Sequence, residues 1–441
     1  MGFKGSGAEF AMTLWSEGLF RHFDNRRQVG AYAGFAPTPW QSGMTDRELF
    51  GAAAILTTVA GGVVAGEEGS KVPPSISVRQ TGDIVVVFRT YSQGCERDDI
   101  PDAPARALRL ADGSVAMIAA NQKNRMLRGP DLLSTRPDCT VVLRGRWDAN
   151  PAAYDDRLWL ASTWTGDGTN VIALVHSEYQ GNNHPGQCPS GRYIDCWYNA
   201  ITLAISHDSA HSFTRPNGEA ALIASIPYRY DRQADRHVGY FNPSNLVERD
   251  GALFAMMWAT QYREQTLGNC LIRTEHPDAA ASWRAWDGSA FAVQFIDPYH
   301  SNAAPAEHVC PAVERGHLRG PVVSLVRHTP SGAYITLFIG GNPTGEAQLP
   351  WAIFSSGSWD LIHWSSPRMV MPVARFDTDV CSASAPLAYP SLIDPDSPSA
   401  NFDTVGDTAQ LFLTRFNLEH CRTSLDRDLV RIPVLVTINP S

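Results

Sequence analysis

Three carboxylates stand where apolar runs begin or end. Asp102 lies in "DDIPDAPARA", Asp156 stands within "AYDDRLW" just before a strand-like run, and Glu178 follows the apolar run in "LVHSEYQG". A carboxyl set among apolar residues is desolvated and holds its proton, while a better solvated neighbour stays ionised. One protonated and one ionised carboxyl across a scissile bond is the pairing that hydrolyses a glycosidic linkage. Taken singly, each acid has a plainer account as a strand-end side chain bonded to loop amides; it is the constellation that favours chemistry. Asn121, Tyr198, Asn199, Tyr240, Asn242, Arg319 and Tyr389 occupy comparable strand-end positions, with Trp197 beside Tyr198. Aromatic rings stack on sugar faces, and Asn and Arg bond hydroxyls, so this set suits carbohydrate. Arg319 and Arg89 suit either an acidic sugar or a site carboxylate.

The elements that must position these residues are repeated hairpins. Ala105 to Asn121 holds two strand-like runs around Asp112-Gly113, Arg157 to Tyr179 repeats this around Asp167-Gly168, and Ser244 to Tyr262 around Asp250-Gly251. Asp-Gly between apolar runs is a strong tight-turn signal. Pro321 to Gly341 turns on Pro330-Ser331-Gly332, and Tyr389 to Phe416 closes the series with a longer connection. The residues ahead of the hairpins, Asp102, Asp156, Asn242, Arg319 and Tyr389, follow one another at 54, 86, 77 and 70 residues, room for a four-stranded sheet each time. An all-β, five-bladed β-propeller with an N-terminal extension is the expected fold, since radial repetition protects strand edges. A sixth hairpin, Ser75 to Tyr91, either adds a sixth blade or, more economically, pairs with Leu429 to Ile438 to complete the last one. Domain boundaries follow: 1–72 as leader and extension, 73–441 as the catalytic propeller.

Two turn segments favour blades over a sandwich. "SHDSAHSF" (206–213) resembles the Asp-box of sialidase-type blades, with Ala210 where that pattern has Gly, and "SSGSWDLIHWS" (355–365) has a related S-x-D-L-x-x-W form. His207 and His211 have the spacing of a helical metal pair, which means nothing on a turn. In a propeller the starts of first strands and the ends of second strands meet at one mouth, so Asp102, Asp156 and Glu178 should share a funnel with the seven candidate binding residues. With this architecture the chain resembles the five-bladed glycoside hydrolases of family 43, which include arabinanases, arabinofuranosidases and xylosidases. The resemblance spans about residues 73–441. It implies that Asp102 is the general base, Asp156 the residue that orients the acid and raises its pKa, and Glu178 the general acid. Asp99 or Asp155 would take a role by a small shift. The resemblance also permits a structural Ca²⁺, although no ligand run demands one, and no other cofactor is expected.

Composition narrows the partners. The 441 residues carry 36 Lys+Arg against 45 Asp+Glu, a net charge of −9, which offers no basic footprint for nucleic acid or anionic lipid. With 44% hydrophobic residues and 35 Gly, 30 Pro and 12 Trp, a core with many turns is expected. The eight cysteines show no zinc spacing and read better as disulfides, Cys188 and Cys196 being the favoured local pair, in an oxidising compartment. The opening "MGFKGSGAEF" reads as a cloning leader, and Leu49 to Gly66 as a buried helix or strand pair in preference to a membrane span. A secreted or periplasmic monomer acting on a polysaccharide is the leading expectation. The alternatives are a carbohydrate-binding propeller without turnover and a sialidase-like enzyme using the adjacent Glu178 and Tyr179. No G-x-S-x-G elbow, P-loop, H-E-x-x-H or dinucleotide fingerprint is present.

Overall fold

The computed structural model describes residues 72–119, 121–341, 351–374 and 385–439. The leader, the apolar run of Leu49 to Gly66 and the boundary at residue 72 therefore lie outside or at the edge of the described residues. Strands dominate: β1 (Ser75–Gln80), β2 (Val85–Arg89), β3 (Arg106–Arg109), β4 (Val115–Ile118), β5 (Arg125–Gly129), β6 (Arg136–Val141), β7 (Arg157–Thr165), β8 (Val171–Gln180), β9 (Trp197–Ser206) and β10 (Leu222–Ala224). They continue as β11 (Val238–Phe241), β12 (Val247–Arg249), β13 (Ala252–Ala259), β14 (Gly268–Thr274), β15 (Arg284–Ala285), β16 (Val293–Gln294) and β17 (Val322–His328). The last are β18 (Tyr334–Gly340), β19 (Ala352–Ser358), β20 (Arg368–Pro372), β21 (Leu387–Ile393), β22 (Thr404–Val405), β23 (Thr408–Glu419) and β24 (Arg422–Asn439).

These strands form antiparallel units in chain order. β3 to β6 make the first; β7 to β10 the second; β11 and β12 share the inner position of the third, followed by β13 to β16. The second and third are joined by a short parallel pairing of β9 with β11. β17 to β20 make the fourth, and β21, β23, β24 and β1 the fifth. The pairing expected of the two chain ends is present: Val78 faces Val436 and, in β2, Phe88 faces Leu429. Asp-Gly turns join the hairpins as expected. Asp250 and Gly251 take φ of 53° and 76°, the left-handed pair of a tight hairpin, and Gly168 (φ 74°) leaves no room for a Cβ, which would lie 2.3 Å from the Ala111 nitrogen.

Each unit buries one face against the next. Leu108 and Ile118 pack on Leu158 and Val175, Leu174 and Ile201 on Leu253 and Ile272, Phe254 and Met256 on Leu325 and Phe338, and Ile335 and Ile353 on Leu411 and Val430. The fifth unit returns to the first, with Phe412 and Leu429 against Ala107 and Met117. Alternation along the strands gives every unit two apolar faces, and this cyclic burial satisfies both. Arg106, 3% exposed, ties the inner strands together. Its guanidinium donates to the carbonyls of Ala105, Ala161, Pro243 and Val323 and to the Ser391 hydroxyl at 2.7–3.4 Å, one acceptor from each unit. No other side chain has a rigid five-donor fork that could do this. Burial pushes its pKa down to about 9.

The two turn segments are built on their aspartates. Asp208 Oδ1 accepts from the Ser212 and His211 amides, with Ser209 and Ala210 both at positive φ (57° and 60°). Asp360 Oδ1 accepts from Ile362 and His363, and Trp364 is buried beneath. His207 and His211 are engaged locally, with Asn170 and the Asp208 carbonyl.

Candidate functional site

Side chains of β8 alternate, so His176, Glu178 and Gln180 lie on one face while Ser177 and Tyr179 lie on the other. The register sets Arg157 and Asn199 directly beside Glu178 and Trp159 beside His176. Glu178 is 2% exposed. Its Oε2 accepts from Gln180 Nε2 at 2.7 Å and from the Tyr193 hydroxyl at 3.4 Å. Burial pushes the carboxyl up to about 8; the charge of Asp102 adds to the rise, and the Gln180 bond, Arg157 and Tyr193 oppose it. At neutral pH Glu178 therefore carries a proton. His176 Nε2 lies 3.5 Å from Glu178 Oε1, but burial holds the imidazole down to about 4, so at neutral pH the contact is between two uncharged groups. His176 is fixed by Asn242 at 2.7 Å through Nδ1 and by Asn199 through Nε2.

Asp102 reaches this cluster from the first unit. Its amide donates to the Ala119 carbonyl at 3.0 Å just ahead of β3, and its carboxylate meets Arg427 of β24 at 2.6 Å and the Tyr389 hydroxyl of β21 at 3.2 Å. Burial raises its pKa, while Arg427, Tyr389 and Trp159 all favour the ionised form. Asp102 is thus the one of the two carboxyls with a guanidinium at hydrogen-bond distance. The Tyr389 hydroxyl is itself pushed well above its usual range by burial and by the two carboxyls. Tyr389 and Asn242 have φ of 54° and 32°. A left-handed non-glycine residue costs about 1–2 kcal/mol, and such strain concentrates where geometry is dictated by function.

Asp156 is 1% exposed and faces different partners. Oδ2 accepts from the Gln180 amide at 2.8 Å and lies 3.0 Å from His184 Nε2, while Oδ1 has no hydrogen-bond partner among the described residues. Asp155 is engaged by Arg146 and Arg215, and Asp99 by Arg125. A small pocket touches Asp156, Glu178 and Asn199 and is walled by Tyr154, Tyr179 and Tyr198.

The structure gathers Glu178, Asn199 and Asn242 around His176, and Asp102 and Tyr389 beside Arg427, two buried sets that feel each other's charge, with Asp156 tied to the first through the backbone of Gln180. Of the other four candidates, Tyr198 walls the pocket beside Glu178 from the Tyr179 side, and the remaining three lie elsewhere. Asn121 accepts from the Lys123 amide in a turn, Tyr240 is fully buried and donates to Gln265, Tyr198 packs in a tyrosine cluster, and Arg319 is exposed with its Nε on the Gly316 carbonyl. Trp197 is buried between Tyr193 and His237, and Arg89 is exposed. The sequence reading passed over Arg427, Tyr193, Gln180 and His176. The last two had a signal, because residues two positions either side of a strand glutamate share its face. Glu178 and Tyr179 point to opposite faces, so they do not form the acid–nucleophile pair of the sialidase alternative. The sequence reading ranked the sialidase alternative lower for want of an Arg-Ile-Pro tripeptide; one does occur at Arg431 to Pro433, where Arg431 bonds Gln410 within its sheet at 2.8 Å.

Three disulfides are formed among the described residues: Cys95–Cys139, the expected Cys188–Cys196, and Cys270–Cys310. Among the described residues no group of three or more His, Cys, Asp or Glu side chains is arranged to hold a metal ion, and no helix is long and apolar enough to cross a membrane.

No protein-family model matches the chain. A 45-residue stretch is 76% identical to the "Putative transposase y4rJ" of Sinorhizobium fredii, covering 10% of this chain and 11% of that protein. Among solved structures, a protein of unknown function from Dyadobacter fermentans aligns over 82% of this chain and all of its own, with TM-score 0.47 and 11% identity. The α-L-arabinanase of Cellvibrio cellulosa, complexed with arabinohexaose, aligns over 75% of this chain and 91% of its own (TM-score 0.42, 9% identity). An exo-1,5-α-L-arabinanase from a bovine ruminal metagenomic library covers 76% and 96% (TM-score 0.43, 11% identity). Likenesses this distant define neither fold nor activity, so the functional reading rests on the site residues.

Proposed function

We propose that the chain is a five-bladed β-propeller glycoside hydrolase in which Glu178 is the general acid and Asp102 the general base. The five units, their cyclic packing and the five-way bonding of Arg106 support the blade count. One observation carries the chemistry. Two buried carboxyls sense each other's charge: Glu178 keeps its proton to about pH 8, and Asp102, whose pKa burial also raises, is the one that faces a guanidinium at 2.6 Å. The guanidinium favours the ionised form of Asp102, which suits the base, and a protonated Glu178 suits the acid. Glu178 gives its proton to the glycosidic oxygen as the bond to the anomeric carbon breaks. Asp102 takes a proton from the water whose oxygen forms the new bond to that carbon. Asp156 positions Glu178 through Gln180. Tyr154, Tyr179 and Tyr198, which wall the pocket beside Glu178, are better placed to meet a sugar than the fully buried Tyr240.

The family 43 resemblance directs the substrate choice to arabinose- or pentose-containing polysaccharides, and the disulfides favour a secreted or periplasmic location. A second reading, carbohydrate binding without turnover, draws support from the depth of both carboxyls and from the Arg427 pairing of Asp102. Release of reducing sugar from arabinan, arabinoxylan, xylan, fructan and sialosides decides between them. Turnover by the parent supports the hydrolase; binding to one of these glycans with no turnover of any supports the second reading.

A further inference from the structure

The segment 227–233, together with Arg263 and Pro298, borders an open groove of about 560 Å³. Arg229, Arg232 and Arg263 are all exposed along it. None of the three has a carboxylate partner among the described residues. Arg229 donates to the Pro298 and Tyr299 carbonyls at 2.9 and 3.4 Å, Arg232 donates to the Gly186 carbonyl at 2.7 Å, and Arg263 lies over the rings of Tyr228 (4.8 Å) and Tyr262 (5.3 Å). The acid in the groove, Asp231, is already engaged, accepting from the Gln233 amide at 2.9 Å and the Tyr262 hydroxyl at 3.1 Å. Three cations against one occupied carboxylate form a local positive field on a chain whose net charge is −9. Arg263 holds its place with φ of 51°, a conformation that non-glycine residues adopt at a cost.

A second observation points into the same place. Tyr228 is 8% exposed, and its buried hydroxyl has no hydrogen-bond partner among the described residues. An unsatisfied buried hydroxyl costs about 1–3 kcal/mol and calls for a ligand or water to pair with it. Tyr228 also lines the pocket that touches Asp156, Glu178 and Asn199, so groove and pocket are neighbours across one ring.

We propose that this groove is a subsite for an anionic sugar unit, one bearing a carboxylate or a sulfate ester. The guanidinium groups of Arg229, Arg232 and Arg263 receive the charge, and the Tyr228 ring lines the floor between groove and pocket. The inference rests on the glycan reading above and deepens it by naming the substrate class. Guanidinium groups match planar, bidentate anions, and these bonds are about twice as strong as neutral ones. None of the three arginines belongs to the carboxyl network.

The test is calorimetric titration of the full chain with trigalacturonate, a sulfated carrageenan tetrasaccharide and neutral arabinotriose, for the parent and the Arg232→Gln, Arg263→Gln and Arg263→Lys variants. The proposal expects at least one anionic oligosaccharide to bind, roughly tenfold or more weakly in each Gln variant. Binding should weaken with added salt, fall less in the Lys variant, and leave arabinotriose unaffected by every substitution. Whichever anion binds tighter identifies the charged group. No binding of either anion, or equal affinity in parent and Gln variants with unchanged melting temperatures, would overturn it. Because the readout is binding, anion capture without turnover counts against the hydrolase reading alone, and turnover of neutral glycans indifferent to these arginines counts against the subsite alone.

Discussion

The Arg427 guanidinium lies 2.6 Å from the Asp102 carboxylate although 325 residues separate them, and both side chains are almost wholly buried. The contact joins the last strand to the segment that opens the first unit, so it closes the ring at the level of the proposed site. Breaking such a pair from one side leaves an uncompensated buried charge. Arg427→Met is expected to lower stability by about 3–5 kcal/mol. Asp102→Asn/Arg427→Met should recover part of that loss. A urea-denaturation double-mutant cycle measures the coupling; additive losses would show that the pair contributes nothing.

The same logic applies at the axis. Arg106→Met removes the donors that satisfy four backbone carbonyls and Ser391. Stability should fall by about 3–5 kcal/mol, at the upper end for a single substitution. Thermal denaturation of the variant beside Arg109→Met, an outward neighbour, checks whether the effect belongs to the hub.

Stability should also respond to pH in a defined way. Glu178 is raised to about 8 in the folded chain from an ordinary 4.5, so between these values the folded state holds a proton that the unfolded state has lost. Its contribution is complete below pH 4.5 and falls by about 1.4 kcal/mol per unit until pH 8. His176 is lowered to about 4 from 6.5, so its contribution rises between those values. The two slopes cancel between pH 4.5 and 6.5, leaving a net loss from pH 6.5 to 8. Denaturation midpoints across that range should fall in the parent and stay flat in Glu178→Gln. A parallel fall in both would place the titration elsewhere.

The Cys270–Cys310 bridge closes a separation of 40 residues within the third unit. Chain-entropy arguments give about 4 kcal/mol for a loop of this size. Cys270→Ala/Cys310→Ala should lower the urea midpoint accordingly, and reduction by dithiothreitol should have little further effect at that site.

Much of the architecture was legible locally. The Asp112-Gly113, Asp167-Gly168 and Asp250-Gly251 turns fixed three hairpins because their backbone geometry is written in two adjacent residues. Asp102 and Glu178 were legible as strand-end acids beside apolar runs. Arg427 was not, because nothing near it in the chain indicates a partner across the ring closure. Tyr240 was placed at the mouth by position along its strand, but a strand has two faces, and it turns toward Phe295 in the core. Tyr198 shares Tyr179's face rather than Glu178's, yet walls the pocket that Glu178 touches. Arg106 passed unremarked because a buried arginine without a carboxylate is rare, and its acceptors come from five distant segments.

The central claim, that Glu178 delivers the proton to the departing oxygen, is tested most directly by leaving-group dependence. Parent and Glu178→Gln would be compared on a methyl glycoside and a dinitrophenyl glycoside of the sugar identified by the glycan panel. A dinitrophenolate leaves without protonation, whereas a methoxide needs it. The account predicts that Glu178→Gln loses roughly a hundredfold or more in kcat/KM on the methyl glycoside. On the dinitrophenyl glycoside it should lose less than about tenfold, that rate not depending on general acid catalysis. Equal losses on both substrates, or none on either, would contradict it.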